Sequence, residues 1–310
     1  NNWTEAKVMA PKAIIHVGFY KTGTKTLQLN FFSKHPEINY LGAPYNNLAA
    51  LKFINYIKNT EEASYLPSIA KELFKPVYEV FDNNTNILAL SDEDLTSYEF
   101  VDRLTMVRRL NDILGGIKLL VSVRNQITQL ESYYFQALKW YLRPGGVEIP
   151  FQNFIEDTLP MPRISPVHNL LYFNLLHSYE KLVGRDSLVI LLYEDFRANN
   201  IREINNISSI MNLSSLEHDI SANVSENARV SAQSVFYRKV RKVFLPKSRL
   251  SRLIPKFISH KFHSAINKGA PASITWEEGM RLRLEDFFRE DNQKLASKFN
   301  LDLASHHYPL

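Results

Sequence analysis

Apolar and polar positions fall into two alternating patterns along this chain. Unbroken apolar runs lie near residues 13–18, 87–91, 118–123 and 187–193, and between them apolar residues recur every three or four positions. A short run without polar alternation belongs to a strand buried on both faces, whereas the three-to-four spacing belongs to a helix with one apolar side. Strands alternating with helices in this way predict an α/β fold, a parallel sheet flanked by helices on both faces. Such sheets bind ligands at the carboxyl ends of their strands, so the residues just after each run are the ones to read for chemistry.

The stretches between the runs read as helical additions to the sheet. Residues 42–80 show helical apolar spacing through Leu48, Leu51, Ile54, Ile57, Ile69 and Leu73, and 139–180 combines a Pro144-Gly145-Gly146 break with aromatic helices. No internal repeat or low-complexity tract is visible, and the 310 residues are read as a single domain. In that reading 13–34, 87–135 and 187–230 form the scaffold, and insertions at 42–80, 139–180 and 232–275 shape a substrate cleft.

Chemistry begins where the first run ends. Ile14-Ile15-His16-Val17 breaks into Gly18-Phe19-Tyr20-Lys21-Thr22-Gly23-Thr24-Lys25-Thr26, a Gly/Lys/Thr loop followed by a helical pattern. A loop of this kind leaves backbone N–H groups at a helix N-terminus, where the dipole and the unpaired donors favour a phosphate. Gly18 and Gly23 have the separation of the Walker A pattern, G-x-x-x-x-G-K-[ST]. Thr24 lies between Gly23 and Lys25, however, and displaces that lysine by one position. Lys21 is therefore the better phosphate lysine.

Read as Phe-Tyr-Lys-Thr-Gly-Thr-Lys-Thr-Leu, the loop resembles the 5′-phosphosulfate loop of sulfotransferases that use 3′-phosphoadenosine 5′-phosphosulfate (PAPS), roughly P-K-[ST]-G-T-[TS]-x-L. Tyr20 stands where that family usually has Pro. A second match follows Leu119-Leu120-Val121-Ser122-Val123, where Arg124-Asn125 leads into a helical segment through Ser132-Tyr133-Tyr134. The family's 3′-phosphate motif is a strand ending in Arg, with Ser eight residues on and an aromatic after it, and Arg124, Ser132 and Tyr134 fit. A dianionic phosphate is well served by a guanidinium fork and a hydroxyl. Leu188-Val189-Ile190-Leu191-Leu192-Tyr193 is the third match, a strand whose Tyr borders the adenine in the family. Tyr193 is equally readable as an aromatic closing a core strand.

The resemblance, to the bacterial or carbohydrate type, implies a P-loop-like sheet, PAPS as cofactor with 3′,5′-ADP as product, and no metal. The implied cofactor contacts are Lys21, Thr22, Gly23, Thr24, Lys25, Thr26, Arg124, Ser132 and Tyr193. Arg229 and Ser231 join them from a loop that closes over the 3′-phosphate, although the usual R-K-G form is absent. In-line transfer of a sulfonate to an acceptor hydroxyl, expected to be that of a glycan or cell-envelope component, also needs a cation on the departing oxygen, which suits Lys21, and a base.

The second run, Ile87-Leu88-Ala89-Leu90-Ser91, ends in Asp92-Glu93-Asp94. This strand end commonly contributes catalytic residues in the family, which points to Glu93 as base with Asp92 next. A carboxylate among carboxylates, desolvated by a bound acceptor, has its pKa raised toward the useful range. The alternative is a helix N-terminus capped by Ser91 or Asp92, with acids in its first turn. His16, inside the first strand, reads as a structural histidine, while His168 and His177 fall in the aromatic region that would line the cleft.

The chain is 45% hydrophobic and carries a net charge of +5. Between Arg229 and Lys268 stand eleven Lys/Arg side chains and no Asp or Glu. Such a block recruits anions: the 3′-phosphate, an anionic polymer, or a membrane surface in peripheral contact. It is as readily a solvated helix face. No nucleic-acid module is recognisable, so nucleic acid is not an expected partner. With no cysteine, disulfides and cysteine-based metal sites are excluded. No apolar run approaches the length of a membrane span and no signal-peptide pattern is present, which makes a cytoplasmic location the simplest expectation. Asn-x-Ser/Thr matches at Asn83, Asn206, Asn212 and Asn223 arise readily in an Asn- and Ser-rich chain.

Two other readings compete. A P-loop kinase or NTPase would use Asp92 as its Mg²⁺ carboxylate, against which stand the displaced Lys25 and the Arg124/Ser132 pair. A non-enzymatic anion- or membrane-binding protein would rest on the basic 229–268 block.

Overall fold

The computed structural model describes residues 13–79, 87–141, 147, 149–216, 235, 239, 272–277 and 279–310. The chain divides into two compact units, Asn1–Arg124 with Leu171–Val224 and Asn125–Leu170 with Ser225–Leu310.

The first unit holds the sheet. Its strands are β1 (Ala13–Gly18), β2 (Ile38–Tyr40), β3 (Ile87–Ser91), β4 (Ile117–Val123) and β5 (Leu188–Leu192). All pair in parallel, in the order β2-β3-β1-β4-β5. The four long apolar runs are the four longest strands, as their unbroken character requires. β2 leaves no such trace, because three residues, Ile-Asn-Tyr, are too few to display a period.

Side chains in register share a face, and the two faces meet different helices. Ile14, Ala89, Leu120 and Leu191 pack with Leu27, Phe31 and Phe32, which follow β1, and with Phe196, Ile204 and Ile207. These come from a helix that begins as α1 (Thr24–Thr26) and widens into a π-helical turn (Leu27–Phe32), and from α8 (Tyr193–Ala198) and α9 (Asn200–Ile210). The opposite face carries α4 (Arg103–Leu114) and α7 (Tyr172–Val183), which bury Met106, Val107 and Leu110 and Tyr172, Leu176 and Tyr179. The α/β sheet flanked by helices is thus as expected.

Two details depart from expectation. In α2 (Leu48–Asn59) and α3 (Pro67–Glu79), Leu48 and Ile69 are 66% and 42% exposed; the buried stripe of α2 runs through Ala50, Phe53, Ile54, Ile57 and Lys58. The last strand stops at Leu192, so Tyr193 is the first residue of α8 and not the end of a strand.

The second unit contains α5 (Gln126–Tyr141), α6 (Phe151–Glu156) and α10 (Met280–Phe299). Gln126 and Asn292 exchange hydrogen bonds at 2.6 and 3.2 Å between α5 and α10, each satisfying the other's buried amide. Asn125 caps α5 through Ile127 and donates to the His307 carbonyl at 2.7 Å. Tyr134 belongs to an aromatic core with Phe151 and Phe154. Among the described residues no helix is long and apolar enough to cross a membrane.

Candidate active site

The strand order fixes where a site can form. From β1 the chain moves to β2 and β3 on one side, then crosses to β4 and β5 on the other, so connections diverge between the carboxyl ends of β1 and β4. Open parallel sheets bind ligands in the crevice at such a switch point. The Gly18–Thr24 loop and Arg124 occupy those two strand ends.

The loop is shaped by its backbone. Lys21 and Gly23 both adopt the left-handed region, with φ of 72° and 82°. A Cβ on Gly23 would also lie 3.1 Å from the Phe196 ring, and one on Gly18 would lie 2.2 Å from Thr24 Oγ1. For Lys21 the left-handed conformation costs about 1–2 kcal/mol, so something must hold it. Arg124 Nη1 donates to the Lys21 carbonyl at 3.0 Å, and Thr22 Oγ1 donates to the Phe19 carbonyl at 2.5 Å. Two left-handed residues one apart bend the chain sharply between the end of β1 and the start of α1. Thr22, Thr24 and Thr26 are buried, while Lys25 is exposed.

Below the loop, His16 lies wholly buried between Ser91 on β3 (Nδ1···Oγ 2.7 Å) and Ser122 on β4 (Nε2···Oγ 2.8 Å). Burial lowers its pKa to about 3, so it is a neutral strut tying three strand ends together.

The turn after β3 brings the carboxylates to the loop. Asp92 caps a 3-10 turn (Glu93–Thr96), its Oδ1 accepting from the Asp94 N–H at 2.9 Å. Its Oδ2 accepts from Tyr45 at 2.6 Å and from Lys58 at 2.9 Å. Asp92 is thus engaged on both oxygens by protein groups. Thr96 Oγ1 hydrogen-bonds the Gly18 carbonyl at 3.2 Å and pins the turn to β1.

Glu93 differs from its neighbour. Half-buried, it has its pKa pushed up to about 7, first by burial and then by the charges of Asp92 and Asp94, against a hydrogen bond from Thr24 and the charge of Lys21. One side chain therefore joins the β3 turn to the loop after β1 through Thr24 and Lys21. A carboxyl whose pKa lies near neutrality beside the cation of Lys21 is equipped to exchange a proton there.

Of the remaining expected residues, Arg124 sets its guanidinium carbon 4.7 Å from the Tyr193 ring centroid, so Tyr193 is brought to the loop from α8. Ser132 is half-buried on α5, in the second unit, whereas Arg124 closes the first stretch of the other. Arg229, Ser231 and the 229–268 block, apart from Val235 and Lys239, lie outside the described residues. His177 contacts Glu180 on α7 at 3.3 Å, and His168, in the other unit, packs on Phe287 with its Nδ1 buried and unpaired.

Sequence reasoning missed Tyr20, Tyr45 and Lys58. Tyr20 donates to Asp94 Oδ1 at 2.7 Å, and Lys58 reaches Asp94 Oδ2 at 2.7 Å as well as Asp92. Lys58 carries no local signal, because its carboxylate partners lie 34 and 36 residues away in the chain.

No protein-family model matches this chain, and no curated protein matches its sequence. Solved structures do resemble it. A sulfotransferase from Alicyclobacillus acidocaldarius superposes with a TM-score of 0.57 at 16% identity, over 96% of this chain and 98% of that one. A mouse sulfotransferase complexed with PAP gives 0.42 at 12% identity, over 92% and 89%. The sulfotransferase domain of a Synechococcus olefin synthase gives 0.41 at 15%, over 94% and 95%. The first of these likenesses shows that the chain has the sulfotransferase fold.

Proposed function

We propose that this protein transfers the sulfonate of PAPS to an acceptor hydroxyl, with Lys21 on the departing phosphate and Glu93 as the base. The observation that carries the reading is Glu93, held near a pKa of 7 while bonded to Thr24 of the loop and facing Lys21.

The residues at the β1 and β4 strand ends suit the donor. Glycines at 18 and 23 keep side chains out of the cradle, and the loop's backbone N–H groups would serve a 5′-phosphate. Arg124 and Ser132 would serve the 3′-phosphate and Tyr193 the adenine side; Arg229 and Ser231 extend the same proposal. PAPS supplies an activated sulfonate whose leaving group is a phosphate. Lys21 provides a positive charge worth most when that leaving oxygen turns negative. Glu93, ionised above pH 7, accepts the proton that the acceptor hydroxyl gives up. The acceptor we favour is a glycan or another cell-envelope component in a cytoplasmic reaction, and the domain assignment we retain is one catalytic domain over 1–310.

The kinase alternative needs Asp92 for Mg²⁺, yet both Asp92 oxygens are engaged by Lys58, Tyr45 and the Asp94 N–H. A thermal-shift comparison tests the choice: 3′,5′-ADP should stabilise the protein without added metal, and more than 5′-AMP or ATP with Mg²⁺. Equal shifts for 3′,5′-ADP and 5′-AMP would remove the case for PAPS. Incubation with PAPS and panels of glycans, phenols and lipids, read by mass spectrometry for the mass of one sulfonate, then finds the acceptor. With that acceptor, Glu93→Gln should slow single-turnover transfer about a hundredfold while 3′,5′-ADP still binds.

A further inference from the structure

Glu93 sits between two carboxylates, and one cation serves both of them. Lys58 Nζ lies 2.9 Å from Asp92 Oδ2 and 2.7 Å from Asp94 Oδ2, and the lysine is only 4% exposed. It reaches them from the last turn of α2, along the stripe that also buries Phe53, Ile54 and Ile57. Its ammonium also faces the Phe100 ring, 4.9 Å from the centroid. Two tyrosines complete the cluster, Tyr45 on Asp92 at 2.6 Å and Tyr20 on Asp94 at 2.7 Å. Tyr20 belongs to the loop after β1, so the cluster fastens the Asp92–Thr96 turn to α2 on one side and to the loop on the other.

A buried lysine needs a reason. Its desolvation opposes the charge, and a methionine in the same stripe would pack without that cost. What methionine lacks is the ability to hold two carboxylates at fixed positions on either side of a third. We propose that Lys58 is a positioning residue for Glu93: by bridging Asp92 and Asp94 it fixes the turn that presents Glu93 to the loop and offsets the negative charge on either side of it. The inference rests on Glu93 being the base, and it explains how that base stays usable near neutral pH.

Lys21 faces Glu93 from the loop, and Asp92 and Asp94 face it from its own turn. His16 on β1 is neutral. On α4, Arg108 and Arg109 are taken by Glu62, and Asp102 and Arg103 act on Tyr179. Burial works against the charge of Lys58, but Asp92 and Asp94 outweigh it and hold its pKa above the ordinary value, so it is a cation throughout the working range. Without it, two uncompensated carboxylates would favour the protonated form of Glu93 and raise its titration midpoint.

The test is a titration of the ligand-free protein carrying side-chain carboxyl ¹³C glutamate, with the Glu93 resonance assigned by its absence in Glu93→Gln. Lys58→Met should raise the Glu93 midpoint by about one pH unit, and Lys58→Arg should restore it. An unmoved midpoint in folded Lys58→Met overturns the proposal, because a residue that merely packs would leave it unchanged. Should Lys58→Met fail to fold, Lys58→Gln decides: it can hydrogen-bond a carboxylate without the charge, so the midpoint should rise, and no change is again the overturning result. Single-turnover transfer by Glu93→Gln separates this inference from the reading beneath it. Full activity there removes Glu93 as base whatever the titrations do, whereas lost activity with an unmoved Lys58→Met midpoint removes only the role of Lys58.

Discussion

The loop after β1 and the turn after β3 lie on adjacent strands of one sheet, yet they are specified by different physics. The loop from Gly18 to Thr24 is specified by conformation: two left-handed residues, and two glycine positions that admit no Cβ without displacing Thr24 or Phe196. The turn from Asp92 to Thr96 is specified by charge, through a lysine and two tyrosines distant in sequence. Conformational demands leave a local trace in the sequence because only certain residues meet them. Charge compensation leaves none, since a partner can come from anywhere the fold brings near.

The largest effects are expected at Lys21 and Lys25, on either side of Gly23. If the loop is built to place Lys21, then Lys21→Ala should lower single-turnover transfer by about 10²–10³-fold with a smaller loss of 3′,5′-ADP affinity. Lys25 is exposed, and Lys25→Ala should stay within about threefold of wild type. A larger loss at Lys25 than at Lys21 would reverse the reading in favour of a kinase-like loop.

Stability separates the two regions next. Asp92→Asn leaves Lys58 short of a partner in a buried cluster and should cost about 3–5 kcal/mol in denaturant unfolding. Gly23→Ala meets a left-handed backbone and a ring 3.1 Å from the new methyl, and should cost about 1–3 kcal/mol. Near-neutral results at both positions would mean that neither conformation nor charge holds the site together.

The same contrast decides how much of the molecule is legible in its sequence. The apolar runs announce four strands and their parallel pairing, because burial on both faces dictates unbroken hydrophobicity. The strand ends that carry the Gly18–Thr24 loop and Arg124 are legible with those runs. Lys58 is concealed: its partners lie 34 and 36 residues away, and helical periodicity near it reads through Leu48 and Leu51 instead of Ala50 and Phe53. Tyr193 reads as part of a strand because nothing in Leu-Leu-Tyr-Glu announces that the helix begins at the tyrosine.

The smallest expected effect separates two adjacent carboxylates within the turn itself. Glu93 has a folded pKa of about 7 against an ordinary 4.5, so between those values the folded protein holds a proton that the unfolded chain has released. Stability falls as pH rises through that window, because folding must then either keep the proton or bury a charge. The full cost is present above pH 7 and absent below pH 4.5. Glutamine stays neutral at every pH and can keep the hydrogen bond to Thr24, so it escapes the cost. Glu93→Gln should therefore melt a few degrees higher than wild type at about pH 8 and at nearly the same temperature at about pH 4.5. Asp92→Asn should melt lower at both. Losing stability at Glu93→Gln in the alkaline measurement would make Glu93 another strut of the turn, and the contrast between a charge kept for structure and a charge kept for proton transfer would vanish.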